Sequence, residues 1–508
     1  MATRQPETGF TLAVPLDAVI PELLGLPGVA EVEVLGEAAR RSVYVDTLDL
    51  RLARAGANLC RRTGSSGAGW RLELPGPGDA RTPMTAPLGP DERIPLELVA
   101  AVRARVREEP FAPVLVLSTV RTARLLRDAS GRVLAEVADD TITSRSLGGA
   151  KVAVDAWREW VVELAEGDRR MLASTRRVLR AAGGQVPAWS SALVRGLGDR
   201  LAHAGPDEDH AHVEAGSAGM VLGEHLRARR EVLLACDPLV RQDVPDSVHQ
   251  MRVATRELRS ALATFRVLVV RERSEAVRVE LGWLGALLGV ARDAEVGRGL
   301  LADLVAGESA ELVVGPVGER LDADRADAYR TARDQVLEAL TSPRYFRLLD
   351  ALDALVDDPP LTKAAAGPAG KVMPERVRRD WQRLARAFDA ARQAPPGPRR
   401  DVLLHEVRKA AKRARYSAEA VIPVVGRPAE SFARAAKELQ TLLGDHHDSV
   451  ELRALLRRVA TGAHLEGQDT FSYGRLHAIE QAHAERIEDR LPPVWDRVAA
   501  RRLRRWMR

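Results

Sequence analysis

Apolar and polar positions alternate through much of residues 1–200, in short β-branched runs punctuated by Gly and Pro: Arg41-Ser42-Val43-Tyr44-Val45, Gly69-Trp70-Arg71-Leu72-Glu73-Leu74, Arg132-Val133-Leu134-Ala135-Glu136-Val137 and Trp160-Val161-Val162-Glu163-Leu164. Period two predicts strands. Charged residues fall where a strand's second face would point, which predicts a sheet or barrel with one polar face. Helical spacing interrupts the alternation near 94–107 and 168–182. Residues 201–214 then turn to Gly, acids and His with few apolar anchors, the composition of a linker, in which the pair His210 and His212 reads as solvated. From 215 to 495 Ala, Leu, Arg and Glu recur every three or four residues, with loops at 357–370 and 393–400. The expected fold class is therefore multidomain, α+β over 1–200 and all-α over 215–495, with a basic tail at 496–508.

The 508 residues exceed what one compact core accommodates, and 45% hydrophobic content excludes general disorder. Cys60 and Cys236 are the only thiols, so neither a disulfide framework nor a Cys-rich metal site fits within one chain. A reducing compartment suits that usage. The N-terminal stretch lacks the basic-then-apolar order of a secretory signal, and no apolar run is long enough to span a bilayer; a cytosolic protein is expected. A net charge of +5 is too small to imply a polyanion partner unless the cations cluster.

They do cluster. His249, Arg252, Arg256 and Arg259 follow the spacing His-x2-Arg-x3-Arg-x2-Arg, and His405, Arg408, Lys412 and Arg415 repeat it 156 residues later. Downstream, Leu287-Leu288-Gly289-Val290-Ala291-Arg292-Asp293 and Leu442-Leu443-Gly444-Asp445-His446-His447-Asp448 form a second pair, offset by 155. Chance would give about 0.04 such His-headed patterns among the histidines. The chain thus holds two related helical halves, about 215–355 and 375–495, expected as a pseudo-twofold pair of bundles.

On a helix, offsets of 0, 3, 7 and 10 fall within an arc of roughly 80° and run about 15 Å along the axis, so each half presents His and its cations as one stripe. Lys409, Arg413 and Tyr416 widen the second stripe, and His446 lies within reach of the same path. A Ser-x-x-Gln capping box, Ser247 with Gln250, would hold His249 in the first turn, where free amides favour an anion. Most basic runs are solvated faces or ion pairs to acidic neighbours. Two matched stripes on duplicated halves point instead to a polyanion. Phe265 and Tyr416 are the only aromatics near them, too few to stack or read bases, so inorganic polyphosphate fits better than nucleic acid.

The segments His249-Gln250-Met251-Arg252-Val253-Ala254-Thr255-Arg256-Glu257-Leu258-Arg259 and Leu404-His405-Glu406-Val407-Arg408-Lys409-Ala410-Ala411-Lys412-Arg413 resemble the signature helices of the CHAD family, and the two Leu-Gly motifs resemble its second paired motif. The resemblance implies a helical domain with internal pseudo-symmetry, a basic central channel for inorganic polyphosphate, no cofactor, and association with polyphosphate granules.

The first 200 residues resemble a CYTH domain, the triphosphate tunnel fold, through Tyr44-Val45-Asp46-Thr47-Leu48-Asp49-Leu50, Leu59-Cys60-Arg61-Arg62-Thr63, Val133-Leu134-Ala135-Glu136-Val137-Ala138-Asp139-Asp140 and Trp157-Arg158-Glu159. That implies an antiparallel barrel in which Arg61, Arg62 and Arg121 would contact phosphate, while Glu7, Glu136, Asp139, Glu159 and Glu163 would hold Mg²⁺ or Mn²⁺. The family's opening Glu-x-Glu-x-Lys reads Glu7-Thr8-Gly9-Phe10-Thr11 here, Glu73 stands where a lysine is usual, and Val161 interrupts the acidic alternation between Glu159 and Glu163. Weak or absent turnover is expected. The competing readings are a metal-dependent triphosphatase or polyphosphatase fed by the helical domain, and a nucleic-acid binder. Trp283 reads as a core residue, and the Arg-rich segment Ala499–Arg508 as a frayed final helix.

Overall fold

The computed structural model describes residues 9–64, 67–75, 81–149, 152–203 and 214–508; Glu7, His210 and His212 lie outside them. The chain divides into two compact units, Met1–Glu208 and Asp209–Arg508.

In the first unit β1 (Gly9–Val14), β2 (Glu31–Val34), β3 (Ala38–Asp46), β4 (Asn58–Gly64), β5 (Gly69–Pro75), β6 (Arg81–Ala86), β7 (Ala112–Arg127), β8 (Val133–Ser146) and β9 (Val154–Leu164) form one sheet. Its ladders are antiparallel, in the order β1-β9-β8-β7-β3-β4-β5-β6, with β2 pairing the far end of β7. Among the described residues no ladder joins β6 to β1. Two helices cover one face. α1 (Leu96–Val106) sets Leu98, Val102 and Val106 against Leu59 and Leu72, and α2 (Arg169–Ala181) sets Met171, Leu172 and Leu179 against Leu126, Val137 and Trp160. Burial of these alternating side chains drives the docking and leaves the other face of each strand free for polar groups. That other face is itself apolar at one end, where Leu117, Ile142 and Trp157 meet Leu193 and Leu197.

The second unit is helical: α3 (Ala218–Arg241), α4 (Ser247–Thr264), α5 (Arg271–Ala306), α6 (Val317–Thr341), α7 (Pro343–Asp357), α8 (Ala369–Gln393), α9 (Pro398–Glu419), α10 (Arg427–Leu465) and α11 (Phe471–Val498). Each of α3 to α6 packs on the next, and the series α8 to α11 repeats that order, so the duplication read from the motifs is a duplication of architecture. α4 buries Val248, Met251, Ala254, Leu258 and Ala261, and α9 buries Leu404, Val407, Ala411 and Ala414, all at three or four residue spacing. The halves meet where α4 packs on α9, and where the buried Asp380 of α8 accepts from Thr264 Oγ1 at 2.6 Å and pairs with Arg413 Nε at 2.7 Å.

Three expectations change here. The capping box does not form: Asp246 is the residue before α4, Gln250 Nε2 donates to Asp246 Oδ2 at 2.7 Å, and Ser247 Oγ is buried with no hydrogen-bond partner among the described residues. Trp283 is half-buried at the surface under the Arg344 guanidinium, 4.2 Å from its ring centroid, and is not core. The last residues are not frayed. Arg501–Met507 form a 3₁₀ turn on α8 and α10, with Met507 buried, Arg504 stacked 4.3 Å from the Trp381 ring centroid and Trp506 edge-on to Phe432.

Candidate polyanion site

α4 and α9 turn their stripes toward each other. Burial and the positive charges of Arg256, Arg408 and Arg252, which belong to both halves, push the Lys412 ammonium down to about 6. Arg252 and Arg408 are likewise lowered, by burial first, with Arg256 and Arg408 also acting on the former and Arg256, across the cleft, on the latter. Like charges gathered where solvent is limited repel strongly, because water no longer screens them. Among the described residues no carboxylate lies within ion-pair distance of Arg256, Arg408 or Lys412. Arg252 alone of the inner group has such a partner, Asp293 Oδ1 at 3.0 Å.

The Leu-Gly motifs explain how the cations fit. Gly289 faces Arg252 and Gly444 faces Arg408, so that a Cβ there would stand 3.5 Å and 3.2 Å from the respective Nη2 atoms. One helical turn later, Asp293 and Asp448 lie on the same face, and each acts on the arginine of its own half. Gly444 leaves close room for Arg408, and Asp293 holds Arg252 by its ion pair. The periodicity of α5 and α10 was legible in the sequence; the function of their glycines was not.

Of the remaining stripe residues, Tyr416 is buried against Arg256, and Arg259 lies exposed over Gly282. His249 and His405 are both lowered, burial first, with Arg292 acting on the former and Lys409 on the latter. Both widening cations are already engaged, Lys409 with Glu406 at 2.8 Å and Arg413 with Asp380, and so is Arg415 of the stripe itself, with Glu419 at 2.7 Å. His446 is 2% exposed and turns away from the stripe, toward Glu488 Oε1 at 3.3 Å and Asp401 Oδ1 at 3.6 Å. Its neighbour His447 faces the stripe instead, with Nδ1 3.1 Å from His405 Nδ1. Adjacent helical residues point apart, so only one could do so. Burial, His405, Arg408 and Lys412 push His447 down to about 4.

Asp401, His446 and Glu488 are the one group of three potential metal donors among the described residues. Arg400 already holds Glu488 at 2.8 Å and Arg453 stands 3.7 Å from Asp401, so two arginines balance the carboxylate charge without a metal ion.

On the first unit, register sorts the tunnel candidates. Arg121 stands opposite Asp140, which stands opposite Glu159, and Glu136 stands opposite Glu163. Arg62 and Arg40 share that face. Arg61 and Asp139 do not: period two turns them to the opposite side, where Arg61 pairs with Glu92 at 2.6 Å and Asp139 with Arg158 at 2.7 Å. Arg40 and Asp140 replace them, a substitution that only strand register reveals. Val161 does interrupt the acidic row, opposite Ala138.

Among the described residues, three of the acids on this face are already engaged by the protein itself. Arg121 grips Asp140 through two bonds of 2.7 and 2.8 Å and reaches Glu136 at 3.3 Å, while Glu159 Oε1 accepts from Trp157 Nε1 at 2.8 Å and Trp189 Nε1 at 3.0 Å. Mg²⁺ and Mn²⁺ need several free oxygens in near-octahedral array. Glu73 is similarly taken, by Arg71 and Asn58.

Residues 224–457 match the sequence profile of the CHAD domain. The chain contains a CHAD domain. Two curated relatives, uncharacterized proteins of Mycobacterium tuberculosis strains CDC 1551 / Oshkosh and ATCC 25618 / H37Rv, are each 38% identical over 493 residues, covering 93% of this chain and 92% of the relative. PptA from Streptomyces chartreusis is 24% identical, with a TM-score of 0.47, over 55% of this chain and 99% of its own. The CHAD domain from the plant Ricinus communis is 25% identical, with a TM-score of 0.45, over 58% of this chain and 96% of its own. The CHAD match spans the inner cations and both Leu-Gly motifs, and no helix among the described residues is long and apolar enough to cross a membrane.

Proposed function

We propose that this protein binds inorganic polyphosphate in the cleft between α4 and α9, without catalysis and without a required cofactor. The supporting observation is the convergence of Arg252, Arg256, Arg408 and Lys412 from the two halves, three of them without an acidic partner among the described residues. Self-repulsion of that cluster is relieved by a ligand that is itself a row of negative charges, and guanidinium forks match phosphate oxygens in pairs. The two aromatics near the cleft, Phe265 and Tyr416, are fully or almost fully buried, which disfavours nucleic acid because stacking needs an open ring face. Residence in the cytoplasm, at polyphosphate granules, follows from this reading.

Titration of the full chain with polyphosphate tests it. Saturable binding that falls steeply with salt is expected, and Arg256→Glu with Lys412→Glu should abolish it while leaving the helical circular dichroism intact. Equal affinity for RNA at matched phosphate concentration would overturn the assignment. Tripolyphosphate incubated with Mg²⁺ or Mn²⁺ should release no phosphate; turnover by the pure protein would overturn the noncatalytic reading.

A further inference from the structure

The duplication places a surface groove at matched positions in the two halves. Ala276, Val279 and Glu280 line one, and Ser431, Arg434 and Ala435, each 155 residues later, line the other. Their charges are opposite. The first groove gathers Glu272, Glu275 and Glu280 against Arg271, whereas the second, of 610 Å³, gathers Arg434, Lys437, Arg490, Arg497 and Arg502 against Glu438 and Asp445. Arg497 is paired with Glu438, and Arg434 with Glu430 at 3.1 Å. Lys437, Arg490 and Arg502 have no ion pair among the described residues.

This second groove lies near the cleft. Asp445 lines it and lies within electrostatic reach of both Arg408 of the stripe and Arg490 of the groove. Along α10 the lining from Ser431 to Asp445 covers about 21 Å. The C-terminal turn completes it: Arg504 on Trp381 and the buried Met507 dock that turn, and Arg502 and Leu503 close one side.

We propose that the groove between α10, α11 and the C-terminal turn is an outer subsite for the part of a polyphosphate chain that extends beyond the central cleft. The groove on the first half has only Arg271 in place of that row of cations, and two of its acids are already paired, Glu275 with Arg278 and Glu280 with Arg344 at 2.6 Å, so a long polyanion is favoured on one side of the domain. This rests on the polyphosphate reading of the cleft.

The test compares tripolyphosphate, short enough for the cleft alone, with long-chain polyphosphate on the full-length protein. Lys437→Gln, Arg490→Gln and Arg502→Gln together should weaken long-chain binding about tenfold and reduce its log–log salt slope by about 2, near 0.7 per lost contact, while tripolyphosphate affinity stays unchanged. Glu272→Lys with Glu275→Lys, in the opposite groove, should strengthen long-chain binding and gives a readout that does not depend on the first variant folding. Wild-type slope and affinity in the Gln variant, or no gain from the Lys variant, would overturn the outer subsite while tripolyphosphate binding leaves the cleft standing. Failure of the unaltered protein to bind either chain would overturn the polyphosphate reading itself, and the subsite with it.

Discussion

Arg408 lies directly over Gly444, where a methyl group in place of the glycine hydrogen would stand 3.2 Å from Nη2. The neighbour that would have to give is the tip of a flexible side chain, not backbone. Gly444→Ala should therefore leave stability unchanged or raise it by up to about 1 kcal/mol through helix propensity, yet displace the guanidinium and lower polyphosphate affinity about threefold. Calorimetric titration beside a thermal melt checks this; unaltered affinity would show that the glycine does not position Arg408.

Lys412 is the most strained charge in the cleft, pushed down to about 6 by burial and three arginines. Lys412→Met keeps the stem and removes the ammonium. The empty protein should gain about 1–3 kcal/mol at pH 6, read as a higher Tm, while polyphosphate affinity falls. A lower Tm would mean that the ammonium is held by a partner.

The same shift gives a pH dependence of known sign. Lys412 binds its proton less tightly in the folded chain than when unfolded, so between about pH 6 and its unfolded value the unfolded state holds more protons, and this residue's contribution to stability rises with pH. Its cost is fully present below about pH 6. A polyanion reverses the local field and raises the folded value, so binding should take up close to one proton at pH 7 to 8 and weaken as pH rises. Titration in buffers of different ionisation enthalpy measures the uptake directly; no buffer dependence would exclude it.

His446 and His447 should separate stability from binding. His446→Ala leaves Asp401 and Glu488 facing each other without the imidazole and should destabilise the second unit by about 1–3 kcal/mol, with little change in affinity. His447→Ala removes a ring at the stripe, beside His405, and should alter affinity with little effect on stability. Swapped outcomes would restore His446 to the site.

On the first unit, Arg121→Ala should strip the partner from Asp140, which is 3% exposed, and destabilise that unit by about 3 kcal/mol. Polyphosphate affinity should not change. A large loss of affinity would place the sheet in the binding path.

Strands and helices whose faces repeat with a clean period were legible in advance, including both halves of the duplication. β7, the longest strand, was not among the segments singled out by alternation: Leu115, Val116 and Leu117 run together and Arg121, Arg124 and Arg127 recur every three residues, so neither period dominates. Arg61 and Arg62 are both strand residues next to each other, and only the register with β3 decides which one shares a face with Arg121. The capping box failed because Asp246, with φ of 65°, took the position before the helix and captured Gln250.

Local spacing on its own determined that His249 and His405 each head a row of cations, since helical geometry follows from sequence offsets within one element. Whether the rows face each other, which histidine of the 446–447 pair joins them, and which cations are already paired depend on how helices distant in the chain dock. Those outcomes are set by burial and packing between elements, and a one-dimensional pattern carries no information about what lies across the interface. Arg413 shows it most plainly: beside Lys412 in the chain, it is claimed by the buried Asp380 of α8, while Lys412 is left among arginines.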